Sequence, residues 1–253
     1  MGACCAPAED QGPQELQDLP APTLEGVSDI YRKFELTTAF ARTPFGPFEE
    51  AVQKAAGTED FVTFDSLGKE LTTPLWKTLA DPKSELRQLL SQPAFQSEST
   101  DLAAGQIDKD KLILFGILNC VDARVPMKKI RAFYCILQDG GFAAHNEIAA
   151  EDKDFAPTFG SICKLASTDL FAAAKAVGDV EDVYSADECG EMEGKLDELA
   201  EDGWLDDVFG AKSRLPNEEW VKTVGEKGAW LFDPVALRKR ILELAEVEVK
   251  HEQ

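Results

Sequence analysis

Three residues near the start of the chain have types and spacing suited to lipid attachment: Gly2, Cys4 and Cys5, in Met1-Gly2-Ala3-Cys4-Cys5-Ala6. A Gly2 amine bared by removal of Met1 accepts myristate as an amide, and nearby thiols accept palmitate as thioesters. One myristoyl chain holds a protein to a membrane only marginally, so a stable anchor takes a second signal. With 26 Lys plus Arg against 47 Asp plus Glu and a net charge of −21, this chain has no polybasic signal to offer, and Cys4 or Cys5 supplies it instead. Ala6 departs from the usual Ser or Thr at the sixth position. The expectation is a cytoplasmic protein, peripheral on a membrane through an N-terminal lipid.

Chemistry on a substrate finds no comparable support. A nucleophile, acid or base has to be positioned to act, and the chain has only two histidines, His145 in a Gly- and Ala-rich loop and His251 beside the end. No phosphate-binding loop, dinucleotide fingerprint, nucleophile elbow or zinc spacing occurs. The expectation is no enzyme, no cofactor and no metal ligand set. Cys120, Cys135 and Cys163 fall in apolar helical patterns, where a thiol behaves as a small buried hydrophobe, and a reducing compartment follows. A pI near 4.4 repels phosphate backbones, which excludes nucleic acid as a partner. The strongest apolar run, Leu112 to Leu118, falls far short of the about 20 residues that cross a bilayer.

The elements that would carry these residues are helical. Residues 1–26, rich in Pro, Gln, Asp and Glu, read as a flexible leader. Beyond it, apolar positions recur with helical period at Ile130, Phe133, Tyr134 and Leu137, at Phe155, Phe159, Ile162 and Cys163, and at Leu237, Ile241, Leu244 and Ala245. Asp233-Pro234 announces the last of these as N-cap and first residue; Pro126, Thr73-Pro74 and Asp81-Pro82 announce others. From Asp179 to Asp207 stand thirteen acidic residues and one basic residue, Lys195, a solvated face or a docking surface for a basic partner. It divides a helical body, residues 27–178, from a C-terminal portion, residues 179–253. The class is all-α.

The segment Thr100 to Phe115 resembles the loop and exiting helix of an EF-hand, with Gly105 at the sixth position for the sharp turn, Ile107 at the eighth to pair with a partner loop, and Asp108 opening the helix. Three other places repeat helix, loop, aliphatic residue and helix, with Val62, Ile148 and Leu215 as the pairing residues. Four such units resemble the recoverin-like and calcineurin B-like sensors and adaptors of the EF-hand superfamily. The resemblance implies paired units, Val62 with Ile107 and Ile148 with Leu215, through minimal two-stranded contacts. The calcium ligands are degenerate: the first, third, fifth and twelfth positions of the second loop are Thr100, Leu102, Ala104 and Lys111, and the fourth loop keeps Glu219 at its twelfth position but has Val208 and Gly210 at its first and third.

What this implies is a non-enzymatic, membrane-anchored adaptor that binds a protein partner, a helix or a basic segment. The alternatives are a structural component of a cytoskeletal or ciliary assembly and a weak calcium sensor. Phe61, Phe64, Trp76, Trp204, Trp220 and Trp230 are the candidates for a groove receiving a partner helix, although large aromatics more commonly fill cores.

Overall fold

Asp29 starts the first helix, α1 (Ile30–Thr37), by accepting from the backbone N–H groups of Tyr31 and Arg32, each at 2.9 Å. The computed structural model describes residues 16–96, 105–121, 127–138, 146–151, 155–178, 180–181 and 183–250. Gly2, Cys4 and Cys5 lie outside them, as do parts of the second and third loops, residues 97–104 and 139–145.

Helix α2 (Phe45–Ala56) ends on Gly57, strand β1 (Phe61–Thr63) follows, and α3 (Phe64–Glu70) opens with a reciprocal Thr63–Ser66 capping box. A 3₁₀ turn, Trp76–Ala80, leads to α4 (Glu85–Leu90) and then to β2 (Gln106–Asp108) and α5 (Lys109–Asn119). Two start signals are displaced from their expected places. Ser84 rather than Asp81 caps α4. The Thr73-Pro74 start is secured from outside, because the Asp18 carboxylate accepts from Thr73 Oγ1 at 2.5 Å and from Leu75 N at 3.0 Å. The leader is thus held from this point: Leu19 N donates to Arg42 O at 2.7 Å and Arg42 Nε returns a bond to Leu19 O at 2.8 Å.

The second half repeats the plan. Helix α6 (Met127–Leu137) precedes β3 (Glu147–Ala149), and α7 (Phe155–Ala166), α8 (Thr168–Gly178) and α9 (Ala186–Gly194) follow. The helical segment that leads into the fourth loop is α10 (Leu196–Glu198), a π-helical stretch Leu199–Leu205 and α11 (Asp206–Phe209). Strand β4 (Arg214–Pro216), α12 (Asn217–Thr223), a second π stretch Val224–Gly228 and α13 (Pro234–Leu244) complete the chain. Asp233 caps α13 as expected, accepting from Val235 N and Ala236 N. The two π stretches are tied together: Trp204 Nε1 donates to Gly228 O at 3.0 Å, and a β-carbon on Gly228 would lie 2.8 Å from that nitrogen.

One set of touching buried side chains runs from Tyr31 to Val247. The acidic stretch takes part in it. Met192, Leu196, Leu199 and Trp204 are buried, while Asp187, Glu191, Asp197, Glu198, Glu201 and Asp202 face outward. Cys120 and Cys163 are buried as expected, and the low-dielectric surroundings push both thiols up. Cys135 corrects the expectation: it is exposed, because Ala132, Phe133, Tyr134 and Leu137 already turn the buried face of α6 inward.

Deep in this core lies a charge. Arg238 of α13 is fully buried, with Nη2 on Asp29 Oδ2 at 3.0 Å, Nη1 on Glu35 Oε1 at 3.3 Å and Nη1 donating to Ala166 O at 2.6 Å. Burial opposes its charge, but the carboxylates of Glu35 and Asp29 more than offset this and hold the guanidinium above its usual range. The cluster ties α1, the end of α7 and α13 into one body.

Candidate functional site

The four loop residues singled out by sequence come together as two pairs. Strands β1 and β2 run antiparallel with Val62 opposite Ile107, and β3 and β4 run antiparallel with Ile148 opposite Leu215. All four side chains are buried. Each sheet gains a further bond in the same position, two residues past the later pairing residue: Lys109 N donates to Asp60 O at 3.0 Å and Asn217 N to Asn146 O at 3.1 Å, and the second sheet adds Ala150 N to Ser213 O at 3.0 Å.

The first and fourth turns also match in backbone. Gly57 (φ 62, ψ −112) caps α2 five residues before Val62, and Gly210 (φ 55, ψ −125) caps α11 five residues before Leu215. In both, the strand begins four residues after the glycine and the exiting helix seven residues after it. The left-handed φ is one that a residue with a β-carbon adopts only under strain. Sequence reading marks Gly105, which also has positive φ, at 92, as a turn glycine, but passes over Gly57 and counts Gly210 only as a third position without a ligand; their equal offset from the pairing residue is the available signal.

Ammonium and guanidinium groups meet the carboxyl and carbonyl oxygens of these loops. Lys111 Nζ, at the twelfth position of the second loop, donates to Gln96 O at 2.9 Å. Lys109 lies 3.5 Å from Asp60 across the first sheet, and Arg214 lies 2.6 Å from Glu147 across the second. In the fourth loop Lys212 binds the carboxylate of Glu219. Among the described residues no group of three or more His, Cys, Asp or Glu is placed to hold a metal ion.

The aromatic groove does not form from the residues proposed for it. Trp76, Trp204 and Trp220 are completely buried and Phe64 nearly so, while Phe61 and Trp230 are half-buried. Trp76 packs on Phe40 and Phe48 and donates to Thr43 Oγ1 at 2.8 Å. Trp204 packs against Phe155 in the other half, and Trp220 against Tyr134. Arg87 covers the Phe64 ring at 3.5 Å; Trp230 is covered by Arg240 at 4.2 Å and donates to Asp207 at 3.2 Å. The physical reason is area: rings of this size stabilise the fold most when removed from water. Among the described residues a concave apolar surface lies elsewhere, in a cleft of about 220 Å³ lined by Phe34, Thr37, Leu75, Thr78, Leu86 and Leu89. Its walls come from separate elements, so no single periodic stripe announces it.

No family model, curated protein or solved structure matches this chain. Its own residues therefore carry the functional argument. No helix among the described residues is long and apolar enough to cross a membrane. The outward carboxylates of 187–206 form an acidic face, relieved by Lys164 on Glu193 at 3.5 Å and Lys195 on Glu198 at 2.6 Å. At its edge, Glu188 is pushed down to about 2 by the Lys250 ammonium and then by bonds from Ser185.

Proposed function

We propose that this chain is a non-enzymatic adaptor built on two pairs of degenerate EF-hand-like units, held at a membrane surface by acylation of Gly2 with Cys4 or Cys5, and that it takes a basic segment of a protein partner. The observation that carries the scaffold is the repetition itself: two antiparallel loop pairs with an aliphatic residue at the centre of each strand, and the same added bond in each sheet. A rigid pair of this kind presents surfaces without needing chemistry of its own. The carboxylates exposed along α9, α10 and the π stretch that follows favour a partner of opposite charge, which they attract and orient in a salt-dependent way. For the anchor, the support is the juxtaposition of Gly2, Cys4 and Cys5 in a chain too acidic for a polybasic second signal.

Intact-mass measurement on the protein from its native cell, paired with membrane fractionation of the Gly2→Ala variant, tests the anchor. The expected result is a myristoyl plus a palmitoyl mass and release of the variant into the soluble fraction. An unmodified or merely acetylated N-terminus removes it.

A further inference from the structure

Taking Leu215 as the eighth residue of the fourth loop places Lys212 fifth and Glu219 twelfth. Both are positions from which an EF-hand loop directs side-chain oxygens at a calcium ion. Here the two side chains meet each other, the Lys212 ammonium binding the Glu219 carboxylate across seven residues of chain. The turn that brings them together is the one set by Gly210, whose conformation is shared with Gly57. In the first loop the same two positions hold Glu59 and Ser66, and the Ser66 hydroxyl is spent on capping α3. The fourth loop is therefore the one of these two matched turns in which a carboxylate at the twelfth position faces a cation, and that cation belongs to the chain.

We infer that Lys212 is the resident cation of the fourth loop: its ammonium fills the place of a divalent ion, so the loop is closed without metal and stays closed as calcium rises and falls. This inference rests on the EF-hand-like reading of the units. The charge logic is direct. A divalent ion and an ammonium compete for the same carboxylate, and the tethered ammonium is always present. Replacing it by a carboxylate turns a competitor into a second ligand, beside Glu219 and the loop carbonyl oxygens.

The test is a calcium chloride titration of the full chain, followed residue by residue in amide NMR spectra, for the unmodified protein, Lys212→Asp and Lys227→Asp. Lys227 lies in the second π stretch, so Lys227→Asp makes the same change in net charge away from the loop. The expected result is a saturable shift confined to Gly210–Glu219 in Lys212→Asp alone, with a Kd on the order of 10⁻⁴–10⁻³ M, the range of weak EF-hand-type sites. Equal responses in Lys212→Asp and Lys227→Asp, or in the unmodified chain, overturn the inference, as does a folded Lys212→Asp with no response. Should Lys212→Asp not fold, Lys212→Ser is judged by the same criteria, with a weaker gain expected. The same spectra separate failure of the inference from failure of the scaffold: loss of cross-strand contacts between Val62 and Ile107 or between Ile148 and Leu215 would remove the paired-unit reading, whereas their presence with no calcium response removes only the role of Lys212.

Discussion

Arg238 brings a full charge into the core, and its neighbours explain why it can stay. Two carboxylates and a helix-end carbonyl receive the guanidinium, so removing it would strand Asp29 and Glu35 in a low-dielectric setting. Arg238→Met is expected to cost about 3–5 kcal/mol, the range for breaking a buried pair on one side, read as a lowered melting midpoint; adding Glu35→Gln should recover part of the loss. Glu49 behaves oppositely. Burial, with Glu50 adding and Lys128 opposing, pushes its carboxyl up to about 7 from the ordinary 4.5. A group whose folded pKa is raised favours the fold in its protonated form, so its contribution is greatest below pH 4.5 and declines as pH rises to about 7. Glu49→Gln should therefore raise stability above pH 7, by about 1 kcal/mol once partial solvent access is discounted, and leave it unchanged near pH 4. Denaturant melts at the two pH values check this. Neither site was legible as a charge in isolation, but Arg238 carried a signal, since it stands three and four residues before Ile241 and Leu242 on the apolar stripe of α13.

At the scale of elements, the loop pairs were readable because a single aliphatic residue between polar neighbours, followed by a capped helix, is a local pattern. Asp108 and Asp233 were legible caps for the same reason. The π stretches were not, because the register shift in Leu199–Leu205 follows from how Trp204 must reach Gly228 O, a contact 24 residues away. Nor were the buried tryptophans distinguishable from groove residues, since composition says nothing about which face is covered. The matched turns make a paired prediction. Gly57→Ala meets no atom within 4 Å, and Gly210→Ala meets only Asp206 O at 4.0 Å, so each cost is backbone strain, on the order of 1–3 kcal/mol. Equal losses in the two variants by thermal melting would mark the turns as energetically equivalent; a loss at one alone would break the equivalence.

For the whole molecule, helical class and repeated units followed from the sequence, while the way the halves join did not. The acidic stretch looked like a divider, yet its apolar residues at 192, 196, 199 and 204 complete the same buried set as α1. The join is made by α7, α8 and α13, with Arg238 closing it onto α1 from 209 residues away. A chain ending after Phe232 keeps all four loops but loses Arg238, Leu237, Ile241 and Leu242. It is expected to lack cooperative unfolding, measured by circular dichroism on heating, rather than to survive as a smaller stable body.

That distance between Asp29 and Arg238 also sets an order in time. Closing a loop of some two hundred residues is entropically slow, and contacts of this separation retard folding more than local helix formation does. During synthesis the first helix and its carboxylates emerge long before their cation exists, so Asp29 and Glu35 wait in water, where charge costs nothing, until the last helix is made. The nascent chain can assemble β1 against β2 early, but the carboxylates of Asp29 and Glu35 cannot be neutralised in the core until α13 has been made. Refolding from denaturant should accordingly show early helix signal and a later single phase for tryptophan burial, with Arg238→Met slowing or removing only the later one.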